Sequence, residues 1–112
     1  MIMVTIPSPE EHLGYKIGDD RKLADWPEIV GYFKKVSAAS DRVKLEELGK
    51  STEGNPFVLA TISAPGNLKK LEKLRRIQLR LSDPDGVDSE EAEKLIAEGK
   101  TVVLITCSTQ ST

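Results

Sequence analysis

A chain of 112 residues, 38% hydrophobic and 30% charged, has room for one small globular domain and is too apolar for a disordered tail. A formal net charge of −2 draws it toward neither nucleic acid nor an anionic membrane, and no apolar run approaches membrane-spanning length. One cysteine excludes an internal disulfide, and 4% aromatics leave the core to aliphatic side chains. Met1 to Ile6 lacks the basic start and long apolar stretch of an export signal, and nothing else in the sequence assigns a compartment.

Residues 1–25 read as an extended surface arm, because Pro7, Ser8 and Pro9 interrupt regular structure. His12, the only histidine, is expected to be an exposed arm residue without the partners that a base or metal ligand needs. Asp19, Asp20, Arg21 and Lys22 read as a solvated turn. A helix is predicted from Trp26 to Ala38. Asp25 and Glu28 have capping-box spacing, Pro27 sits in the first turn, and Trp26, Ile29, Val30, Phe33 and Val36 fall on one face. A hairpin is predicted over residues 43–64, turning between Lys50 and Pro56, with its strands antiparallel. Its second strand, starting at Phe57, is the more apolar and is expected to be the more interior.

Asn67 is placed as the cap of a second helix carrying Leu68, Leu71, Leu74, Ile77, Leu79 and Leu81. Lys69, Lys70, Lys73, Arg75, Arg76 and Arg80 make it basic, which invites an anion- or nucleic-acid-binding reading. No aromatic side chains interleave for base stacking, so a solvated face is the simpler expectation, with no nucleic-acid or membrane partner. Residues 82–86 have turn chemistry. Asp88 and Glu91 start a short helix that Gly99 ends as a left-handed cap glycine.

The run Val102, Val103, Leu104, Ile105 does not alternate, which predicts a strand covered on both faces in the middle of an α/β sheet. Three strands are too few to shield it, so more are expected from missing chain or from a partner; exposed, its edge would promote self-association through residues 101–107. In open α/β folds the chemistry lies beyond the carboxyl ends of strands. The chain is therefore expected to be the front portion of an enzyme domain, without its working parts. Cys107 is expected to be a buried strand-end residue with no base to make it a nucleophile. Glu53, Asp83, Asp85 and Asp88 read as turn and cap residues rather than a carboxylate site.

Four stretches, taken in order, resemble the amino-terminal part of the carboxypeptidase A-like zinc carboxypeptidases, particularly bacterial ones. They are Pro7 to Trp26, Ile29 to Phe33, Leu48 to Gly54, and Val102 to Ser108. The resemblance spans nearly the whole chain but only the front of a typical catalytic domain. It implies a partial three-layer α/β/α sandwich with a mixed sheet, zinc exopeptidase-like, with residues 26–112 as its beginning and the chain stopping after the third strand. It also implies a parent activity, hydrolysis of C-terminal peptide bonds by zinc-bound water, and a peptide substrate; family members are often secreted or periplasmic. The family pattern after the last strand is Cys-Ser-x-His-Ser/Ala-Thr-Glu, whose His and Glu bind zinc. Here Cys107, Ser108, Ser111 and Thr112 match, but Gln110 stands at the histidine position and the sequence ends before the glutamate. A neutral amide oxygen is a poor zinc donor, and a catalytic zinc needs about three protein ligands. The chain alone is therefore expected to bind zinc poorly and to be inactive. The alternative is a non-catalytic α/β interaction module that assembles through its exposed strand edge.

Overall fold

The computed structural model of the chain describes residues 5–107, which fall into two compact units dividing between residues 69 and 70. Together they combine helices with a two-stranded antiparallel sheet, a mixed α and β architecture.

The first unit opens differently from the expected extended arm, with a short helix, α1 (Pro9–Leu13). The Ser8 hydroxyl accepts from the Glu11 amide at 3.1 Å, Pro9 fits the first helical position, and Gly14 ends the turn at φ 82°. The proline that suggested an extended arm, Pro9, is well placed to start a helix. The next helix, α2 (Trp26–Ala39), begins at the predicted capping box. The Glu28 amide donates to Asp25 Oδ1 at 3.1 Å, and the Asp25 amide donates to Glu28 Oε2 at 3.0 Å. Val30 is the buried residue of this helix.

The hairpin follows as predicted. β1 (Val43–Lys50) pairs antiparallel with β2 (Pro56–Ile62), from Val43 opposite Ile62 to Lys50 opposite Pro56. The register shifts between Glu47 and Gly49, so Leu48 bulges out of the ladder and is exposed. By strand alternation Leu45 and Val58 share a face, and with Val30 of α2 they line one groove. Trp26 Nε1 donates to the Pro56 carbonyl at 2.8 Å, pinning the start of α2 to the start of β2. A short helix, α3 (Pro65–Leu68), closes the unit.

The second unit holds α4 (Leu71–Leu81) and α5 (Ser89–Glu98). The single helix expected from residue 68 is thus split in two. Pro65 starts α3 from an Ala64 cap, which leaves Asn67 inside that helix, and Lys70 at φ −121°, ψ 31° interrupts the path before α4. Asp88 caps α5 as predicted, accepting from the Glu91 amide at 2.8 Å. Lys73 pairs with Glu98, and Arg80 with Glu91 at 3.1 Å, so α4 and α5 run antiparallel with Ile77 buried between these ties. Gly99 ends α5 at φ −68°, not in the expected left-handed conformation. Its role is close approach: a Cβ there would lie 2.9 Å from the Leu95 carbonyl oxygen and 3.1 Å from Ile77 Cγ2.

The expected third strand is not formed. Residues 101–107 carry no ladder pairing, and Val102, Val103, Leu104 and Ile105 are 74–78% exposed. The apolar pattern reports the propensity of this run, but a strand also needs a neighbour to satisfy its backbone, and the only sheet among the described residues is β1–β2.

Candidate functional site

The residues matching the family's metal motif lead out of the described chain. Gln110, with Ser108, Thr109, Ser111 and Thr112, lies outside the described residues. Cys107 is exposed rather than buried, because the strand that would have covered it does not form.

His12 corrects another expectation. Instead of sitting free on an arm it is half-buried against α2, and its Nε2 lies 2.9 Å from the Glu28 carbonyl oxygen. A carbonyl only accepts, so Nε2 carries the hydrogen and Nδ1 is the unprotonated nitrogen in the neutral ring. Nδ1 is enclosed without a hydrogen-bond partner. The ring also packs on Tyr32, with centroids 5.6 Å apart, and Tyr32 Oη donates to the Pro7 carbonyl at 3.0 Å. Nearby Tyr15 has its hydroxyl enclosed and unpartnered. Loss of water, then the Glu28 and Asp25 carboxylates, push its ionisation above the usual phenol range. These contacts make the segment from Pro7 to Tyr15 a clasp on α2. The pattern of one histidine and one tyrosine among arm residues gave no signal for it, since the contacts close across 16 and 25 residues of sequence.

The acidic candidates take structural places. Asp88 caps α5, Asp83 flanks the 83–86 turn, where its backbone carbonyl accepts from the Gly86 amide at 3.4 Å, and Asp85 and Glu53 are exposed. Among the described residues no group of three or more His, Cys, Asp or Glu side chains lies close enough to hold a metal ion. The basic face of α4 is partly neutralised from within its own unit: Lys73 by Glu98, Arg75 by Glu72 at 2.6 Å, and Arg80 by Glu91. A groove of about 340 Å³ separates α2 from the hairpin, floored by Val30, Leu45 and Val58, with Lys34 and Glu47 beside it. It contains no paired nucleophile and base. No family model, curated protein or solved structure matches the chain.

Proposed function

We propose that the chain is the leading part of a zinc-carboxypeptidase-like hydrolase domain, supplying scaffold up to the metal pocket and no competent metal donor of its own. The ordered set of four resembling stretches carries this reading. The placement of two of them supports it: Ile29–Phe33 lies on α2 around its buried Val30, and Leu48–Gly54 forms the bulge and turn of the hairpin. On this reading α2 is part of one helical layer, β1 and β2 begin a mixed sheet, and residues 101–107 become a strand of that sheet once it is extended, completing a three-layer sandwich.

The donors in hand do not fit a catalytic zinc. About three nitrogen, sulfur or carboxylate ligands are needed, and the only imidazole is engaged with the Glu28 carbonyl on α2. Metal analysis of the purified chain is expected to find no stoichiometric zinc, and carboxypeptidase substrates are expected to remain intact; bound zinc with turnover would overturn the scaffold reading. The coding sequence after Thr112 tests the family reading separately. A frame continuing into the motif's glutamate and a later histidine supports it, and a frame without either removes it.

The exposure of Val102–Ile105 favours a second reading, a non-catalytic module that assembles through its strand edges. Sedimentation over a range of concentrations tests it, since an assembling module gains mass as concentration rises and a chain that stays monomeric removes the reading.

A further inference from the structure

The clasp that residues 7–15 lay on α2 lies wholly within the first unit, and its closed state has little margin. The His12 ring lies against the α2 backbone at Gly31, where a Cβ would meet its Cε1 and Nε2 at 3.6 Å, and it packs on Tyr32. Nε2 donates to the Glu28 carbonyl at 2.9 Å, and Tyr32 Oη donates to the Pro7 carbonyl at 3.0 Å. Against these bonds stand two enclosed polar atoms, His12 Nδ1 and Tyr15 Oη, which have no partner among the described residues. Both atoms regain water when the segment leaves α2, so closure is opposed from within.

The two ring nitrogens differ in what protonation does to them. Nε2 keeps its hydrogen in either charge state, because the Glu28 carbonyl only accepts. Nδ1 of the neutral ring is a lone pair, which the enclosure leaves idle. Protonation turns it into the N–H of a charged ring, enclosed without an acceptor, and that is costlier than an idle lone pair. The titratable and charged groups on the elements packed here are Glu10 and Glu11 on α1, Asp25, Glu28 and Tyr32 on α2, and Tyr15 and Lys22 between the helices. The four carboxylates draw a proton toward the ring, and Lys22, 5.8 Å from the centre of the Tyr15 ring, opposes them. All five charges are exposed, so water and salt screen their pull, and none of the carboxylates supplies an acceptor at Nδ1. Asp25 and Glu28 are moreover engaged with each other's amides in the capping box.

We propose that His12 is an acid-operated latch: a proton taken up at Nδ1 frees residues 7–15 from α2. The closed clasp accommodates the neutral ring and the open one either form, so the open state binds more protons and acid favours it. Opening gives Nδ1–H and the Tyr15 hydroxyl to water, breaks the bond from Tyr32 to Pro7, and uncovers the side of α2 that carries Gly31 and Tyr32. The change is confined to the clasp. The capping box, the bond from Trp26 to Pro56 and the hairpin ladder contain no imidazole, so α2 and the sheet persist.

Nuclear magnetic resonance on the full chain tests this, and the sole histidine gives one imidazole to follow. Ring nitrogen shifts at neutral pH are expected to show hydrogen on Nε2. The pH is then lowered from about 7.5 to about 5.5, which spans the ordinary imidazole value near 6.5 and stays above the carboxylate range. The ratio of closed to open clasp, read from Tyr32 ring shifts and the cross-ring contact with His12, is expected to fall on the order of tenfold, as uptake of one proton requires. In H12Q the glutamine amide can donate where Nε2 does and does not titrate, so its Pro7–Tyr32 contact is expected to hold across the same range. A wild-type clasp that stays closed at the acid end, or hydrogen on Nδ1 at neutral pH, overturns the proposal. Loss of the Pro7–Tyr32 contact by H12Q over that range assigns the transition to another group and overturns it as well.

Discussion

The indole of Trp26 joins two elements that are 30 residues apart, through one hydrogen bond of 2.8 Å to the Pro56 carbonyl. Trp26→Phe keeps an aromatic ring in the contact and removes the donor together with part of the ring system. Because the bond is partly buried, water can replace it in part, so the expected loss is about 1 kcal/mol rather than the full penalty of an orphaned carbonyl. Urea unfolding followed by circular dichroism reads it, and an unchanged midpoint would show that the bond contributes nothing. Gly99 allows a sharper test in the second unit. Its φ of −68° suits alanine, so any cost of Gly99→Ala comes from the added carbon meeting the Leu95 carbonyl and Ile77 Cγ2. Overpacking of this kind costs about 1–3 kcal/mol. The variant is expected to speed amide exchange in α4 and α5, and unchanged exchange would show that both neighbours give way without cost. The value of both residues lies in what they touch, which their neighbours in sequence do not announce.

Features legible in the sequence were those decided within a few residues. Asp25 with Glu28, and Asp88 with Glu91, each satisfy helix amides three positions away, and both caps form. The glycine and proline between Lys50 and Pro56 set a turn, and the hairpin closes around it. Legibility failed where a distant partner decides the outcome. His12 looked free because Glu28 and Tyr32 lie one helix further on. The basic face of α4 was expected to be a solvated face, but its neutralising partners were not legible, because Glu91 and Glu98, which pair with Arg80 and Lys73, arrive only with α5. The Lys73–Glu98 pair gives the α4–α5 element an acid sensitivity with a definite sign. The Lys73 ammonium holds Glu98 below the usual carboxylate range, and the Arg75 guanidinium does the same for Glu72. A carboxylate whose folded value is depressed stabilises the fold fully above its unfolded value, about 4.3 for glutamate, and loses that contribution as pH falls through the folded value. Helix signal is therefore expected to hold from neutral pH down to about 4.5 and then to decline. Glu98→Gln should flatten part of the decline while lowering stability at neutral pH. A variant with the same acid profile as the parent would show that the pair is idle, as exposed pairs can be.

For the chain as a whole, the candidate site was legible only as an order of resembling stretches. Gln110, the position that the resemblance would give to a metal ligand, lies outside the described residues. The mixed α and β character and the order of α2, the hairpin and α5 were legible, while helix α1, the break between α3 and α4 and the missing third strand were not. The run from Val102 to Ile105 has the composition of a covered strand and stands 74–78% exposed, so propensity and environment disagree there by almost the full burial of four aliphatic side chains. A segment that packs against nothing in the single chain contributes nothing to that chain's stability, whatever its hydrophobicity. Replacing Val103 and Ile105 together by lysine is therefore expected to leave the urea midpoint of the monomer within about 0.5 kcal/mol of the parent, as exposed-site changes do. Binding of a hydrophobic dye should fall at the same time, because two exposed apolar side chains have gone. The measurement belongs at low concentration, where association cannot add to the apparent stability of the parent. If the midpoint instead drops by the several kcal/mol typical of charging a packed site, residues 101–107 are held against the chain's own surface. In that case Val102–Ile105 is a strand whose neighbour the single chain already contains.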